Sequence, residues 1–410
     1  MKILIIINNF YPEIGSASHI YFDLAKAFVK RGHKVDVITS YPRKFNLAKV
    51  DQGKTFLLDE EIEGIKIHRC KHISLRDNMI LRGAEHFLCP IYYLKEYAKL
   101  KKNFDSCLIY IPPLPLYYLA RTIKRLDGTP SVLNYQDFHP QELTDVGVLR
   151  NPFLIKIFEY MERQSYKNAD FITVLSRGGI DYAVKRGTDP SKISHIYNGC
   201  NISDEIGFSN ERDFKKKEGI EDKVLITYAG ILSPFQGLDN ILATAKEMKQ
   251  YENLIFYVVG DGLIRNRLFK RIKDEDIFNV KLLPLQPRKV YFNIINSSDI
   301  SIISLDERMK APCIPGKLMS LMAAKQPIIA MVPIDSETAK VIQKSNSGIV
   351  VRPNDLEGLK NAILSLRDST KIREYLGNNG LKYCTENMDL NKTVLKYEKI
   401  FNYLIDEQSH

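Results

Sequence analysis

The sequence predicts an α/β protein made of two doubly wound, Rossmann-like domains that face each other across a cleft. Short apolar runs typical of buried parallel strands alternate with helical patterns along the first half, and the same alternation restarts at residue 224. The chain has 410 residues, which exceeds the roughly 250 to 300 at which a single hydrophobic core stops growing. We therefore expect two domains with separate cores.

The first domain begins with a βαβ unit. Residues 3–7 are all Ile or Leu and predict a buried strand, and residues 35–39 predict a second one. The helix between them, which ends at Gly32, is predicted from apolar residues at helical spacing, namely Tyr21, Leu24, Ala25 and Phe28. Further strands of this domain are predicted at residues 65–69, 106–111, 131–135, 171–175 and 193–196.

The second domain repeats this pattern. Its strands are predicted at residues 224–228, 254–259, 280–283, 300–304, 327–331 and 348–351. We place the N-terminal domain at residues 1–200 and the C-terminal domain at 201–389, with the polar stretch 201–222 as the linker. The polar stretch 46–64 predicts a long surface loop. Residues 390–410 are expected to form a last helix that packs back on the N-terminal domain.

The charge is positive and uneven. The formal net charge is +10, and residues 1–200 carry 29 Lys and Arg against 21 Asp and Glu. A basic surface of this kind suits a phosphorylated substrate or an anionic membrane face, or it only aids solubility. No recognised nucleic-acid-binding module is present, so we expect no nucleic-acid partner.

The sequence pattern predicts neither a membrane-spanning helix, nor a signal peptide, nor a structural metal site. No apolar run approaches the roughly 18 residues of a membrane helix, and the N-terminus lacks the features of a signal peptide. We therefore expect a cytoplasmic protein. The six cysteines show neither a C-x-x-C pair nor histidines at zinc spacing, which predicts free thiols and no structural metal.

Two glycine-containing turns of the second domain follow predicted strands. The Gly-Asp-Gly turn at residues 260–262 comes before a helical pattern that contains Arg265, and Gly230 follows the strand at 224–228. Backbone N–H groups at the start of a helix bind phosphate, and glycine allows a ligand to approach the backbone. A tight strand-to-helix turn explains both segments as well, so the two interpretations remain open at this point.

Several landmarks occur in the order found in family 4 glycosyltransferases of the GT-B fold, and the chain resembles that family over nearly its whole length. In the second domain the similar segments are residues 228–230, 260–262, 279–283 and 316–330. In the first domain they are residues 12–16, 31–35 and 196–199.

The donor site departs from the commonest form of this family in two places. That form has an arginine and a lysine that clamp the diphosphate, where this chain has Ile231 and Gln236. It also has two glutamates eight positions apart, where this chain has Pro312 and Ser320.

The chain instead resembles a subgroup, the WbuB-like and colanic-acid-type transferases of bacterial surface polysaccharides. In this subgroup a glutamine, here Gln236, precedes a Gly-Leu pair, and a Pro-small-Lys triplet, here residues 315–317, opens the donor helix. Segments 111–115 and 137–140 are also similar to its first-domain motifs. The departures therefore indicate a variant donor site rather than an inactive enzyme.

The resemblance implies a metal-independent site for a nucleotide sugar, with UDP as the expected nucleotide. Lys317 would offset the charge of the leaving diphosphate, with Arg265 as the second candidate. A solvated loop lysine is the alternative for Lys317. The expected donor-binding residues are Gly15, Gly230, Gln236, Gly260, Gly262, Leu283, Pro315, Gly316 and Ser320.

The acceptor side is expected at the end of the strand at 131–135. Asp137 or His139 would orient the acceptor hydroxyl group, and Glu13 and Glu142 are weaker candidates. A structural role for His139 next to Pro140 is an equally open interpretation.

The function that the resemblance implies is retaining transfer of a hexosyl or N-acetylhexosaminyl group from a nucleotide diphosphate sugar to a lipid-linked glycan, in surface polysaccharide synthesis of the capsule or O-antigen type. Residues 81–103 form a basic amphipathic pattern that would contact the inner leaflet of the membrane, or else a core-facing helix with a solvated lysine face. A sugar-nucleotide epimerase and a non-catalytic nucleotide-sugar-binding protein are the alternative functions.

Overall fold

The computed structural model describes residues 1–43, 47, 51, 53–71, 79–100, 103–202 and 213–408. It divides into two compact units, the first formed by Met1–Gly199 with Leu390–His410 and the second by Cys200–Asp389. The predicted linker at 201–222 and the predicted loop at 46–64 lie partly outside the described residues.

Unit 1 contains one eight-stranded sheet. Its strands are β1 (Lys2–Ile6), β2 (Lys34–Ser40), β3 (Asp59–Ile62), β4 (Ile65–Cys70), β5 (Ser106–Ile111), β6 (Ser131–Tyr135), β7 (Phe171–Val174) and β8 (Ile193–His195). The order in the sheet is β3-β4-β2-β1-β5-β6-β7-β8, and all neighbours are parallel except β3 and β4. The prediction of a loop over residues 46–64 is therefore wrong for β3, because this acidic segment pairs antiparallel with β4 at the edge of the sheet.

Helices cover the sheet of unit 1. They are α1 (Ser16–Lys30), α2 (Met79–Lys99), α3 (Tyr117–Asp127), α4 (Gln141–Asp145), α5 (Pro152–Asn168) and α6 (Arg177–Val184), with a short 3-10 turn at Leu114–Leu116. The central strands β1 and β5 are buried almost throughout, which explains why their sequences are largely apolar rather than alternating.

Unit 2 contains a six-stranded, fully parallel sheet. Its strands are β9 (Val224–Ala229), β10 (Leu254–Val259), β11 (Val280–Leu283), β12 (Ile300–Ser304), β13 (Ile328–Met331) and β14 (Gly348–Val351). Their order is β11-β10-β9-β12-β13-β14. Each strand begins and ends within one residue of the predicted range, and the prediction of two doubly wound α/β units is confirmed.

The helices of unit 2 follow its strands in alternation. They are α7 (Phe214–Glu218), α8 (Leu238–Glu247), α9 (Arg265–Asp274), α10 (Arg288–Ser297), α11 (Lys317–Ala323), α12 (Glu337–Ser345), α13 (Leu356–Arg367) and α14 (Thr370–Asn387). Within the described residues of both units, no helix is long and apolar enough to cross a membrane.

The strand order shows which loops of each sheet are expected to bind a ligand. In unit 2 the order reverses between β9 and β12, and in unit 1 it reverses between β1 and β5. Parallel sheets bind ligands outside the carboxyl ends of their strands at such switch points. In unit 2 this is where Gly230 follows β9 and where the connection from β12 leads to Lys317 at the start of α11.

The last helix, α15 (Leu390–Gln408), belongs to unit 1. Phe401 is fully buried and its ring lies 5.9 Å from that of Phe28. Asn134 donates a hydrogen bond to the Tyr397 hydroxyl group at 2.9 Å. A Cβ atom at Gly199 would lie 2.7 Å from the Cα atom of Leu390. The glycine is therefore needed because the helix begins directly against the backbone of residue 199.

Replacing Phe401 by alanine should destabilise unit 1 by about 3 to 5 kcal/mol, because the change leaves a cavity in its core. Leu395 lies on the same helix but is 42% exposed, so Leu395→Ala should cost less than about 1 kcal/mol. Urea unfolding of both variants measures the difference. Equal losses would contradict the packing of α15 described above.

Candidate active site

Two loops lie side by side at the carboxyl ends of β9 and β10. The N–H groups of Gly230 and Leu232 donate to carbonyl groups of β10 and of the loop after it, at 2.9 Å each. A Cβ atom at Gly260 would lie 1.9 Å from the carbonyl oxygen of Gly230, and one at Gly262 would lie 2.4 Å from that of Leu232. The contact between the loops therefore requires glycine at both positions, and their expected part in donor binding stays a prediction.

Lys317 reaches this pair of loops from the start of α11. Its Nζ atom lies 3.7 Å from the centroid of the Tyr228 ring, and a Cβ atom at Gly230 would lie only 2.7 Å from it. The Nζ atom is buried and has no hydrogen-bond partner among the described residues. The aromatic face attracts a cation only moderately, so the ammonium group lacks most of the stabilisation that water would give it.

The surroundings of Lys317 change its ionisation. Burial lowers its pKa to about 7, from an ordinary value of 10.5. An anion within about 4 to 6 Å favours the charged form of a basic group. An anionic ligand beside Nζ would therefore restore the positive charge, and its binding would be coupled to uptake of a proton.

Tyr228 fixes the loop that follows β9. Its hydroxyl group lies 3.0 Å from the carbonyl oxygen of Ile231 and 3.0 Å from Oε1 of Gln236. The Ser304 hydroxyl group, at the end of β12, donates to the carbonyl oxygen of Gln236. The loop itself contains no Lys or Arg between residues 230 and 237. Lys317, which lies in the connection after β12, thus supplies the positive group that contacts this loop.

Arg265 is the first residue of α9. Its Nε atom is buried and has no hydrogen-bond partner within the described parts of the chain. The two other arginines of the helix are engaged, since Arg267 pairs with Asp239 and Arg271 pairs with both Asp239 and Glu275. Among the residues that the structure describes, Arg265 is consequently the arginine of this helix that is not paired with a carboxylate.

The remaining expected donor residues of unit 2 lie close to these groups along the chain. The carbonyl oxygen of Pro315 accepts a bond of 2.9 Å from the first turn of α11, and Gly316 immediately precedes that helix. Ser320 is partly buried, with its hydroxyl group 3.4 Å from the carbonyl oxygen of Lys317. Leu283 ends β11, and its carbonyl oxygen accepts from the loop after β10 at 3.0 Å. Direct contact of these residues with a donor stays a prediction.

A small cavity borders Gly237, at the end of the loop that follows β9. Its volume is about 300 Å³, and it is lined by Gly237, Asn240, Asp306, Glu307, Arg308 and Asn354. The Arg308 side chain is paired with Asp306 at 2.8 Å. Because its cation is already neutralised, this cavity is a poorer match for a diphosphate than the surroundings of Lys317.

In unit 1, two carboxyl groups meet after the end of β6. Burial raises the pKa of Asp137 to about 6. Burial, and next the charge of Asp137, raises the pKa of Glu142 well above its usual range. Glu142 also accepts a hydrogen bond of 3.0 Å from the N–H group of Phe138. Both carboxyl groups are therefore protonated more readily than an exposed Asp or Glu side chain.

His139 is held in its neutral form beside these carboxyl groups. Burial, together with the neighbouring His86, lowers the pKa of His139 to about 4. A neutral imidazole accepts one hydrogen bond and donates another. The structure thus gives His139 a protonation state suited to orienting a hydroxyl group, although its part in any reaction stays a prediction.

Sequence reasoning missed three polar residues near this point. Arg43 pairs with the buried Glu85 at 2.5 Å, and its N–H group donates to Glu13 at 3.2 Å. His86, which acts on His139, lies next to Glu85 on α2. Arg43 and the Glu85–His86 pair come from separate segments of the chain, and no spacing pattern connects the two segments before the fold is known.

Gly15 stands before the first turn of α1. A Cβ atom there would have no heavy atom within 4 Å. Packing inside unit 1 therefore gives no reason for a glycine at this position, in contrast to Gly260 and Gly262. Its expected contact with the donor stays a prediction.

One group of potential metal ligands occurs among the described residues. Atoms of Asp59, His68 and Glu96 lie within 4.8 Å of one another. His68 is hydrogen-bonded to Asp59 at 2.7 Å and to Asp36 at 3.1 Å, and Glu96 pairs with Lys99 at 2.8 Å. These bonds account for the cluster without an ion.

The comparisons with known families agree with this geometry. Residues 15–204 match the sequence model described as Glycosyltransferase Family 4, and residues 209–383 match the one described as Glycosyl transferases group 1. The two matches together cover most of both units. The chain belongs to the family 4 glycosyltransferases of the GT-B fold, and it is an enzyme of this class.

Individual relatives are distant but similar over most of their length. The putative colanic acid biosynthesis glycosyl transferase WcaI of Escherichia coli K12 is 21% identical over 92% of this chain and 95% of its own. An E. coli UDP-Gal:alpha-D-GlcNAc-diphosphoundecaprenol alpha-1,3-galactosyltransferase is 22% identical over 85% of both chains. The crystal structure of HepE from Anabaena in complex with UDP has a TM-score of 0.71 at 14% identity and covers 98% of this chain and 100% of its own.

Replacing Lys317 by methionine should stabilise the ligand-free protein at low pH. The native pKa of Lys317 lies below its unfolded value, so the buried charge costs stability below about pH 7, and the cost declines as the pH rises toward 10. The gain of Lys317→Met over wild type should therefore shrink by about 2 to 3 kcal/mol between pH 6 and pH 9.

Urea unfolding at both pH values measures this change, with Lys344→Met as the matched control because Lys344 is an exposed lysine of the same unit. A gain for Lys317→Met that does not vary with pH would show that the ammonium group is not buried as described.

Proposed function

We propose that this glycosyltransferase transfers a hexosyl or N-acetylhexosaminyl group from a UDP-sugar to a lipid-linked glycan, with retention of the anomeric configuration, during synthesis of a bacterial surface polysaccharide. The observation that carries the proposal is the buried ammonium group of Lys317, which faces the loop after β9 without a carboxylate or any other hydrogen-bond partner among the described residues.

In this proposal Lys317 and Arg265 bind the diphosphate of the donor. Each of them has a buried side-chain nitrogen near the carboxyl ends of β9 and β10. Among the described residues, neither nitrogen has a hydrogen-bond partner. Charge-assisted hydrogen bonds to phosphate are about twice as strong as neutral ones. As the bond to the sugar breaks, negative charge builds up on the departing diphosphate, and a cation already in place stabilises that charge without reorganisation.

The acceptor side of the proposal uses Asp137 and His139. A neutral imidazole and carboxyl groups whose pKa values are raised by burial orient a hydroxyl group without deprotonating it fully. Retaining transfer in this family is expected to pass the acceptor proton to the leaving phosphate. The protein then needs anion stabilisation and positioning more than a strong base.

The comparisons support the choice of substrates. The E. coli relative with 22% identity carries a UDP-sugar and a diphosphoundecaprenol acceptor in its name, and the relative with 21% identity is named for colanic acid biosynthesis. Structures of Anabaena HepE with UDP and with UDP-glucose have TM-scores of 0.71 and 0.70 to this chain. More than three aligned residues in four differ between this chain and each of these proteins, so the identity of the transferred sugar does not carry over from them.

The proposal is tested by incubating the purified chain with a panel of UDP-sugars and a polyprenyl-diphosphate-linked glycan, after thermal shift has identified the UDP-sugar that binds. We expect extension of the acceptor by one sugar. Lys317→Gln should reduce turnover by about 100-fold or more, because it removes a charge that stabilises the leaving group. Asp137→Asn should reduce turnover while leaving UDP affinity unchanged.

Lys344→Gln serves as the control for the lysine change and should keep wild-type turnover. Binding of a UDP-sugar without extension of any lipid-linked acceptor would favour a nucleotide-sugar-binding protein or an epimerase instead. Normal turnover by Lys317→Gln would remove the role assigned to that residue.

A further inference from the structure

Two buried cysteines of unit 2 lie in contact with each other. The Sγ atoms of Cys200 and Cys384 are 3.1 Å apart, although 184 positions separate the two residues in the chain. Cys384 is fully buried and Cys200 is 5% exposed. The sulfur atoms of a disulfide lie about 2.05 Å apart, so a bond between these two thiols needs a movement of only about 1 Å.

The backbone holds both cysteines at this contact. The N–H group of Met388 donates a hydrogen bond to the carbonyl oxygen of Cys384 at 2.7 Å, and the N–H group of Cys200 donates to the carbonyl oxygen of Met388 at 2.9 Å. Cys200 also forms a parallel β-bridge with Asp389. A short path of hydrogen bonds therefore joins the backbones of the two cysteines, and their approach does not depend on side-chain rotamers alone.

Packing of α14 fixes the position of Cys384. The Cys384 sulfur lies 3.7 Å from the carbonyl oxygen of Met319 on α11. On the same face of unit 2, a Cβ atom at Gly377 of α14 would lie 2.1 Å from the carbonyl oxygen of Lys325, just after α11. Because α14 is in backbone contact with the end of α11, the helix cannot easily shift, and it presents the Cys384 thiol to Cys200 in a fixed place.

We propose that Cys200 and Cys384 form a disulfide when the protein meets a peroxide, and that this bond ties the two ends of unit 2 together. Cys200 is the first residue of unit 2, and Cys384 lies close to its last residue, Asp389. The bond closes almost the whole unit into one loop. A cross-link over so long a segment restricts the unfolded chain and thereby stabilises the folded one. This proposal goes beyond the transfer reaction and does not depend on it.

The reaction balances with hydrogen peroxide as the oxidant. One sulfur, as a thiolate, attacks the peroxide: an S–O bond forms, the O–O bond breaks, and the departing hydroxide takes up a proton to become water. The second sulfur then attacks the resulting sulfenic acid, so that the S–S bond forms, the S–O bond breaks and water leaves. In total, two thiols give up two protons and two electrons, and one peroxide molecule becomes two water molecules.

The contact between the two sulfurs determines the product of this reaction. Burial of both atoms favours a small, uncharged oxidant such as hydrogen peroxide over a bulky disulfide reagent. Once one sulfur is a sulfenic acid, the other is already beside it, and an intramolecular reaction of this kind has a high effective concentration. The disulfide therefore forms before more peroxide can oxidise the sulfenic acid further. Cys313, which is partly exposed before α11, is the reference for a cysteine that peroxide reaches from solvent.

The test treats the reduced full chain with hydrogen peroxide at a concentration that oxidises Cys313. The remaining thiols are then alkylated, and peptides are identified by mass spectrometry without reductant. We expect a linked Cys200–Cys384 peptide in most molecules, and a thermal unfolding temperature that rises by about 5 °C or more. Dithiothreitol should reverse both changes. Cys384→Ala should remove both, whereas the control Cys313→Ser should keep both.

Two results would overturn the proposal. The first is that Cys200 and Cys384 are recovered separately, alkylated or oxidised to acids, from wild-type protein whose Cys313 has been oxidised. The second is that the linked protein unfolds at the same temperature as the reduced protein or below it, which would show that the bond does not tie unit 2 together. Both measurements use wild type, so they decide the matter even if Cys384→Ala does not fold. Neither requires sugar transfer, so the outcome is independent of the proposed function.

Discussion

The proposed donor site depends on one buried positive charge. Lys317 brings its ammonium group against the ring of Tyr228, at 3.7 Å, where burial lowers its pKa to about 7. A buried cation without an anionic partner lowers the stability of the ligand-free protein. Proteins commonly tolerate such a loss of stability at functional sites. A diphosphate beside the Nζ atom would supply the missing negative charge, so binding of the donor and relief of this cost are the same event.

The surrounding fold makes that position possible. The loops after β9 and β10 touch through their backbones, and only glycine at positions 260 and 262 leaves room for the carbonyl oxygens of the opposite loop. At Gly230 the absence of a side chain leaves space for Nζ itself. Packing of the two loops thus explains part of the glycine pattern that first suggested phosphate contacts. The positive charge next to these loops is that of Lys317 on α11.

The central strands were predictable because a parallel strand buried on both faces is a nearly continuous apolar run, as in β1 and β10. The edge strand β3 was not, since its acidic sequence has the composition of a loop. It pairs antiparallel with β4, and its acidic side chains Asp59 and Glu60 bond to His68 and Arg69 of that strand. Lys317 was found by resemblance to a motif, but its contact with Tyr228 arises from the placement of β12 beside β9. Similarly, Arg43 comes close to Glu13, and His86 comes close to His139, only through tertiary structure.

The central claim is that a UDP-sugar binds by restoring the charge of Lys317. Titration calorimetry with UDP-glucose or the preferred UDP-sugar at pH 8, in two buffers of different ionisation enthalpy, counts the protons taken up on binding. With a free pKa of about 7, the account predicts uptake of close to one proton by wild type and almost none by Lys317→Gln. Binding by wild type without proton uptake, or equal uptake by both proteins, would contradict it.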